Sequence, residues 1–514
     1  VTDRRIRSVV IVGGGTAGWM AAASLSKFLK NMNIRIRLVE SELIGTIGVG
    51  EATIPPIMDF LRVLEIDEND VIRRIKATFK LGIAFRDWTR PGHTYFHPFG
   101  PTGFGMGSIS FSSYWLKTYL EGKAARLEEY SIQAVAAAEN KFMRPVHAPN
   151  TPLNKITYAL HFDASLFARY LRQYAEARGV ERHEGLVQQV KQRPEDGFIE
   201  SLVLESGETI EGDLFIDCTG FRGLLIEQTL KTGYEDWTKW LPCDRALAVP
   251  SEHVGPPAPY TLSTARDAGW QWRIPLQHRV GNGLVYCSGF MSDDEAHTTL
   301  LTNLEGKPLA NPAPQRFVTG KRKKAWNKNC VSLGLASGFL EPLESTSIHL
   351  IHRGIAMLLK FFPDRTFEQA DIDRYNKIFD FEFGRVRDFL LLHYTQTERE
   401  GPFWEHCRNI PFTDSLQEKV ELFRSHGRIL REDTELFPVQ SWLFVMIGQN
   451  IIPRGYDPLA DSLDPAKVMA NLDDIRGVVK RAVAAMPTHQ AFIDTNCSTE
   501  TSTSIASGFT VKVR

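Results

Sequence analysis

Residues 6–40 leave this chain few folds to choose from. IRSVVIV (6–12) is apolar and β-branched, GGGTAG (13–18) is a glycine turn, AGWMAAASLSKFLKNM (17–32) has helical spacing, and RIRLVE (35–40) is strand-like again. Strand, turn, helix and strand in that order form a βαβ unit, so the chain begins as an α/β fold. Within the turn, Gly13, Gly15 and Gly18 read GxGxxG, and Glu40 closes the second strand. Glycines there permit a tight turn and close backbone approach to a pyrophosphate. The helix start supplies N–H donors, and the acid can bond a ribose hydroxyl. The pattern predicts a bound dinucleotide, against the plainer reading of an ordinary glycine-rich βα turn.

Later segments separate FAD from NAD. GDLFIDCTGFRG (212–223) is an apolar strand ending in Asp217 and Gly220, and CVSLGLASGFLEPLEST (330–346) is a strand running into a turn and a helix start. Such scattered segments suit a long cofactor lying across the fold. No second GxGxxG offers a seat for NAD(P)H, so reduced flavin is expected from a separate reductase. Lys plus Arg total 60 and Asp plus Glu 61, which provides no global field to draw in nucleic acid or an acidic membrane. A small-molecule partner is expected instead. The six cysteines show no CxxC pairing or zinc-type spacing, so no metal site is expected and reduced thiols in a cytoplasmic enzyme fit best. No signal peptide or membrane-length apolar run is visible.

At roughly 150 residues per domain the length suggests about three domain equivalents. The nucleotide-binding pieces are scattered, which predicts a core over 1–365 with inserted substrate-binding segments at about 80–150 and 235–325. A helical part follows over 366–497, then a Ser/Thr-rich tail over 498–514. FGPTGFGMGSISFSS (99–113) lacks helical periodicity and reads as a surface loop or lid. FDASLFARYLRQYAEAR (162–178) reads as an amphipathic helix capped by Asp163. GWQWRIPL (269–276) places Trp270 and Trp272 on alternate positions, hence on one face of a strand that Pro275 closes. Taken alone, that pattern is aromatic packing, and Lys80 in TFKLGI is a solvated lysine.

Together these pieces resemble the flavin-dependent tryptophan halogenases, relatives of the flavin monooxygenases. The resemblance rests on GGGTAGWMAA (13–22), GVGEATIP (48–55), FKLGI (79–83), WQWRIP (270–275, the WxWxIP pattern) and EPLEST (341–346), and extends from about 6 to 497. It implies a GR2-like FAD-binding fold, a Rossmann βαβ unit with mixed sheets, joined to a largely helical substrate-binding part. It also implies an enzyme that uses FADH2, O2 and chloride or bromide to make hypohalous acid and halogenate an aromatic ring. A homodimer is one assembly open to it.

Residue by residue, the resemblance gives the cofactor Gly13, Gly15, Gly18 and Glu40, then Gly50, Glu51 and Ala52, then Trp270, Trp272, Ile274 and Pro275. The two indoles would wall substrate off from the flavin. Lys80 matches the active-site lysine, Glu344 the catalytic glutamate, and Ser345 stands beside it. Glu341 is expected to be structural. Backbone N–H groups of Thr346 and Ser347 match the halide site, although many members carry glycine where this chain has Ser347. His97, Phe99 and Trp442 match substrate-side positions. The Tyr-Tyr pair that some members place near the amino-acid end of tryptophan is not seen, which favours an indole-type substrate. The alternatives are free tryptophan with chloride, and aromatic hydroxylation by a flavin monooxygenase.

Overall fold

A computed structural model describes residues 3–43, 50–147, 151–432 and 434–499. Gly48 and Val49 of GVGEATIP, and residues 500–514 of the predicted tail, lie outside the described residues.

The βαβ unit forms as strand Ser8–Val12, helix Thr16–Phe28 and strand Arg35–Glu40. The helix ends at Phe28 and not at Met32 as its apolar spacing suggests. Leu29 caps it by donating to the Leu25 carbonyl, and Asn33 turns left-handed (φ 51°) before the next strand. Strand Ser8–Val12 lies between Arg35–Glu40 and Leu214–Asp217, parallel to both. Glu181–Glu184 and Cys330–Ser332 extend the parallel sheet on either side, and Trp326–Asn327 adds a short antiparallel edge. Val9, Val10 and Ile11 have no solvent exposure, as expected of a parallel strand covered on both faces. Helix Thr16–Phe28 packs on helices Ala164–Glu176 and Ser347–Lys360. The former starts where sequence placed its cap, with Asp163 Oδ1 accepting from the Ser165 and Leu166 N–H groups.

A seven-stranded sheet carries the tryptophan motif. Its spatial order is Ala313–Arg316, Arg245–Ser251, Val280–Tyr286, Gly269–Pro275, Thr261–Arg266, Gly82–Arg86 and Thr94–Pro98. The two indoles share one face, 6.0 Å apart between ring centroids, while Gln271 and Arg273 point away to Arg266 and Glu305. The neighbouring strand makes room for them. Gly283 pairs with Trp272 and Gly281 with Ile274, and a Cβ at Gly283 would come within 2.0 Å of the Trp272 ring.

A small antiparallel sheet, Gly50–Ala52, Ala159–Asp163 and Thr78–Lys80, links the two large ones. The Thr78 hydroxyl donates to the Pro275 carbonyl at 2.6 Å, tying the strand of Lys80 to the end of the tryptophan strand.

Helices dominate from Ser347–Lys360 onward, earlier than the 366 expected from the pattern, and include the 27-residue helix Gln369–Thr395. Helix Val439–Gly448 packs on strand Thr94–Pro98. The loop expected over 99–113 is irregular only through Ser110, which caps helix Phe111–Leu120, and Tyr114 holds it by donating to the Phe104 carbonyl. No helix of the described residues is long and apolar enough to cross a membrane.

Candidate active site

Two of the three motif glycines exclude a side chain, and the third leaves room for a ligand. Gly13 has φ 109°, and a Cβ on it would meet the Cys218 carbonyl oxygen at 2.2 Å. A Cβ on Gly18 would meet the Gly13 carbonyl oxygen at 1.9 Å, so this glycine lets helix and strand pack closely. Gly15 instead faces open space. That space is a cavity of about 690 Å³. Helix Thr16–Phe28 begins at it with neither a side-chain cap nor an acidic first turn, so its leading N–H groups are free for an anion. Glu40 lines the same cavity, its Oε1 accepting from Arg182 at 2.6 Å and its Oε2 lying over Gly14.

From Glu40 and Gly185 the cavity runs past Cys218–Arg222 to Glu51, Ala52, Trp270, Trp272 and Ile274. Gly50, Ser345 and Ser347 also border it. Gly18, Pro275, Lys80, Glu344, Thr346, His97, Phe99 and Trp442 do not line it. Pro275 follows the lining residue Ile274, and its carbonyl accepts from Thr78. Gly18 acts through packing.

An elongated dinucleotide fits these residues: an open glycine position, an uncapped helix start, an acid one strand away, and an aromatic wall at the far end.

Behind that wall sit three buried ionisable groups, Lys80, Glu344 and Glu341. Lys80 has no solvent exposure, and its Nζ donates to the Thr53 carbonyl at 2.9 Å and to Ser345 Oγ at 2.8 Å. Burial pushes its pKa down to about 7 against the opposing pull of Glu344 and Glu51. Its ammonium also lies 5.3 Å from the centre of the Phe99 ring. Ser345 is left-handed (φ 58°), a conformation that costs a β-carbon residue about 1 kcal/mol or more, and it ends the tight turn Pro342–Glu344. In that conformation Ser345 borders the cavity while its hydroxyl accepts from Lys80.

Glu344 is fully buried and held by two histidines. His97 Nδ1 lies 2.9 Å from Oε2 and His393 Nε2 lies 2.9 Å from Oε1. Burial alone would raise its pKa, but the charge of His97 and the hydrogen bonds from His393 and His97 prevail and hold it down at about 2. His97 was expected beside substrate. Both its ring nitrogens are engaged, the second with Ser441 at 2.8 Å, so it serves Glu344. Phe99 faces Lys80, as described. Trp442 is buried edge-on against Phe389 with Lys419 over its ring and does not line the cavity.

Glu341 was expected to be structural, and the structure gives it a specific task. Its Oε2 accepts from Trp270 Nε1 at 2.7 Å and from the Tyr394 hydroxyl at 2.5 Å, so this carboxyl orients one indole of the wall. Glu51, on the cavity side, is raised by burial to about 7. Helix Ser347–Lys360 starts without a side-chain cap or an acidic first turn, and Thr346 Oγ1 is buried there with no partner. Sequence reasoning missed His393, Tyr95 and Ser441. They sit 49 or more residues from their partners along the chain, and the one local signal was a histidine in the apolar run FLLLHY.

The fold and this cavity define a class first: a flavoprotein whose dinucleotide site abuts a second, buried set of polar groups. The chain belongs to the tryptophan halogenase family, matching the family model "Tryptophan halogenase" over residues 8–465. It is 39% identical to tryptophan 6-halogenase ThaL of Streptomyces albogriseolus over 490 residues, which cover 88% of this chain and 91% of that protein. Xcc4156, a flavin-dependent halogenase from Xanthomonas campestris, superposes with a TM-score of 0.93 at 48% identity, covering 96% of this chain and 99% of the other. BrvH, a flavin-dependent halogenase from Brevundimonas sp. BAL3, does so with a TM-score of 0.93 at 47% identity and the same coverage. The family and fold class inferred from sequence therefore hold, the chain is a flavin-dependent halogenase, and the hydroxylase alternative is not favoured.

Proposed function

We propose that this enzyme halogenates an electron-rich, indole-type aromatic at Lys80 and Glu344, using FADH2 from a separate flavin reductase, O2 and a halide. The observation that carries the reading is Ser345, which borders the 690 Å³ cavity and at the same time accepts the Lys80 hydrogen bond. When bound, FADH2 would supply the two electrons and two protons with which O2, halide and one further proton become hypohalous acid and water. Gly15, the start of helix Thr16–Phe28 and Glu40 Oε2 would hold the pyrophosphate and a ribose hydroxyl. The free helix start at Thr346 and Ser347, with the unpartnered Thr346 hydroxyl, would receive the halide. Trp270, Trp272 and Ile274 keep the aromatic substrate off the cofactor while leaving a passage at Ser345 for a small oxidant.

At the far end, the Lys80 ammonium hydrogen-bonds hypohalous acid and polarises its O–X bond. The ring carbon forms a bond to X as that bond breaks, and the hydroxide takes a proton to leave as water. Glu344, kept ionised by its two histidines, stabilises the ring cation and takes the proton from the substituted carbon.

The test is a mass-spectrometric screen of indoles with FAD, reductase and chloride or bromide. In the wild type a halogenated ring is expected. Lys80→Ala and Glu344→Gln should lose ring product while hypohalous acid, caught by an added trap, still forms. Ring halogenation at an undiminished rate in Lys80→Ala would refute the assignment. Equal mixtures of indole and tryptophan, and of bromide and chloride, decide the substrate. The absent Tyr-Tyr pair favours indole, and Ser347 favours bromide at least as much as chloride. Preference for tryptophan and chloride would overturn that part.

A further inference from the structure

Glu344 is the end of a longer line of hydrogen bonds whose direction can be worked out from its far end. Gln449 Nε2 lies 3.1 Å from the His393 carbonyl, an atom that can only accept, so the amide nitrogen and not the oxygen must face it. The same NH2 group lies 2.9 Å from the Tyr95 hydroxyl and donates its second proton there. Tyr95 has a single proton left to give, and its other neighbour is His393 Nδ1 at 2.7 Å. His393 Nδ1 therefore accepts, which places the ring's proton on Nε2, aimed at Glu344 Oε1 at 2.9 Å. Burial lowers the pKa of His393, in keeping with a neutral ring of fixed tautomer. The ring cannot tip, because it is fully buried and stacked on Phe85 with centroids 4.5 Å apart.

We propose that His393 is a positioning residue for Glu344, locked in one tautomer by Tyr95 and Gln449, and that this line of donors fixes the carboxylate toward the aromatic ring. The proposal rests on the reading of Glu344 given above. The Tyr95 hydroxyl and the His393 Nε2–H both point toward Glu344, and His97 Nδ1 supplies a second donor from the other side. A carboxylate clamped in this way needs no reorientation when positive charge develops on the ring.

The experiment compares His393→Phe, His393→Gln, Tyr95→Phe and Glu344→Gln in the full-length enzyme with FAD, reductase, bromide and indole. His393→Phe keeps the stacked shape but removes the donor. It should lower kcat for ring bromination by roughly tenfold or more, the size of one charge-assisted hydrogen bond, with KM for indole changed less than about twofold and trapped hypobromous acid unchanged. His393→Gln places an N–H near the Nε2 position and should restore most of the rate. Tyr95→Phe, which frees the tautomer, should fall between them, and it carries the test if His393→Phe does not fold. A folded His393→Phe at full rate, a Gln variant as slow as Phe, or a Tyr95→Phe at full rate would each overturn the proposal. Glu344→Gln separates the two readings. If it is inactive while His393→Phe is active, only the positioning role fails. If Glu344→Gln is itself active, the role of Glu344 fails.

Discussion

Replacing Glu341 by glutamine should stabilise the protein more at about pH 8 than at about pH 5. Glu341 is a fully buried carboxyl. Burial raises its pKa from the 4.5 of a free glutamate to about 7, and the bonds from Tyr394 and Trp270 offset only part of that. Between those two values the native state keeps a proton that the unfolded chain releases, so stability falls as pH rises from about 4.5 to 7. At 1.36 kcal/mol per unit the full loss is about 3 kcal/mol, of which about 2.5 kcal/mol falls between pH 5 and 8. Glutamine keeps an oxygen for Trp270 and Tyr394 but cannot ionise. It places an NH2 where Oε1 already lacks a partner, at a cost of about 1–3 kcal/mol that does not depend on pH. Paired urea unfolding of wild type and Glu341→Gln at the two pH values isolates the ionisation, because every other titrating group cancels. A stability difference that stays constant within about 0.5 kcal/mol across that range would show that Glu341 does not change charge there.

The glycine turn separates two roles. Gly18→Ala should cost about 1–3 kcal/mol of stability through its clash with the Gly13 carbonyl. Gly15→Ala, at a helix N-cap with room for a methyl, should cost no more than about 1 kcal/mol of stability yet weaken FAD binding, because its methyl enters the cavity. Thermal unfolding without flavin and a flavin fluorescence titration check both, and undiminished FAD binding in Gly15→Ala would move the pyrophosphate elsewhere. Burial sets Lys80 near 7, so an ammonium mechanism predicts that ring halogenation declines as pH rises through about 7, and that Lys80→Arg, charged throughout, loses this limb. A rate that rises through the same range would mean that the neutral amine does the work. Without an added flavin reductase the purified protein should consume NADH negligibly, which an absorbance assay settles.

The elements that carry their own local signal were readable from the residues alone. The βαβ unit is written in a hydrophobic run, three glycines and an acid within one stretch of chain. Asp163 announced its helix because capping involves only the next few residues, and the alternation of Trp270 and Trp272 put both indoles on one face because strand geometry leaves no other outcome. Lys80, Glu344 and Ser345 could be named only through resemblance, since an isolated lysine and an isolated glutamate have no local pattern that marks them as buried.

What the sequence by itself determined is thus the start of the fold, the dinucleotide turn and the pairing of the indoles, all consequences of backbone geometry acting over a few residues. Only the tertiary structure decided that Gly283 makes room for Trp272, that Glu341 holds Trp270, that His97 and His393 grip Glu344, and that Trp442 lies buried against Phe389. The first pairs two consecutive strands in register, and the others join elements far apart in the chain. A buried charge or indole takes its state from whatever donors, acceptors and space the packed chain brings to it, and those are set by how the sheets and helices close on one another.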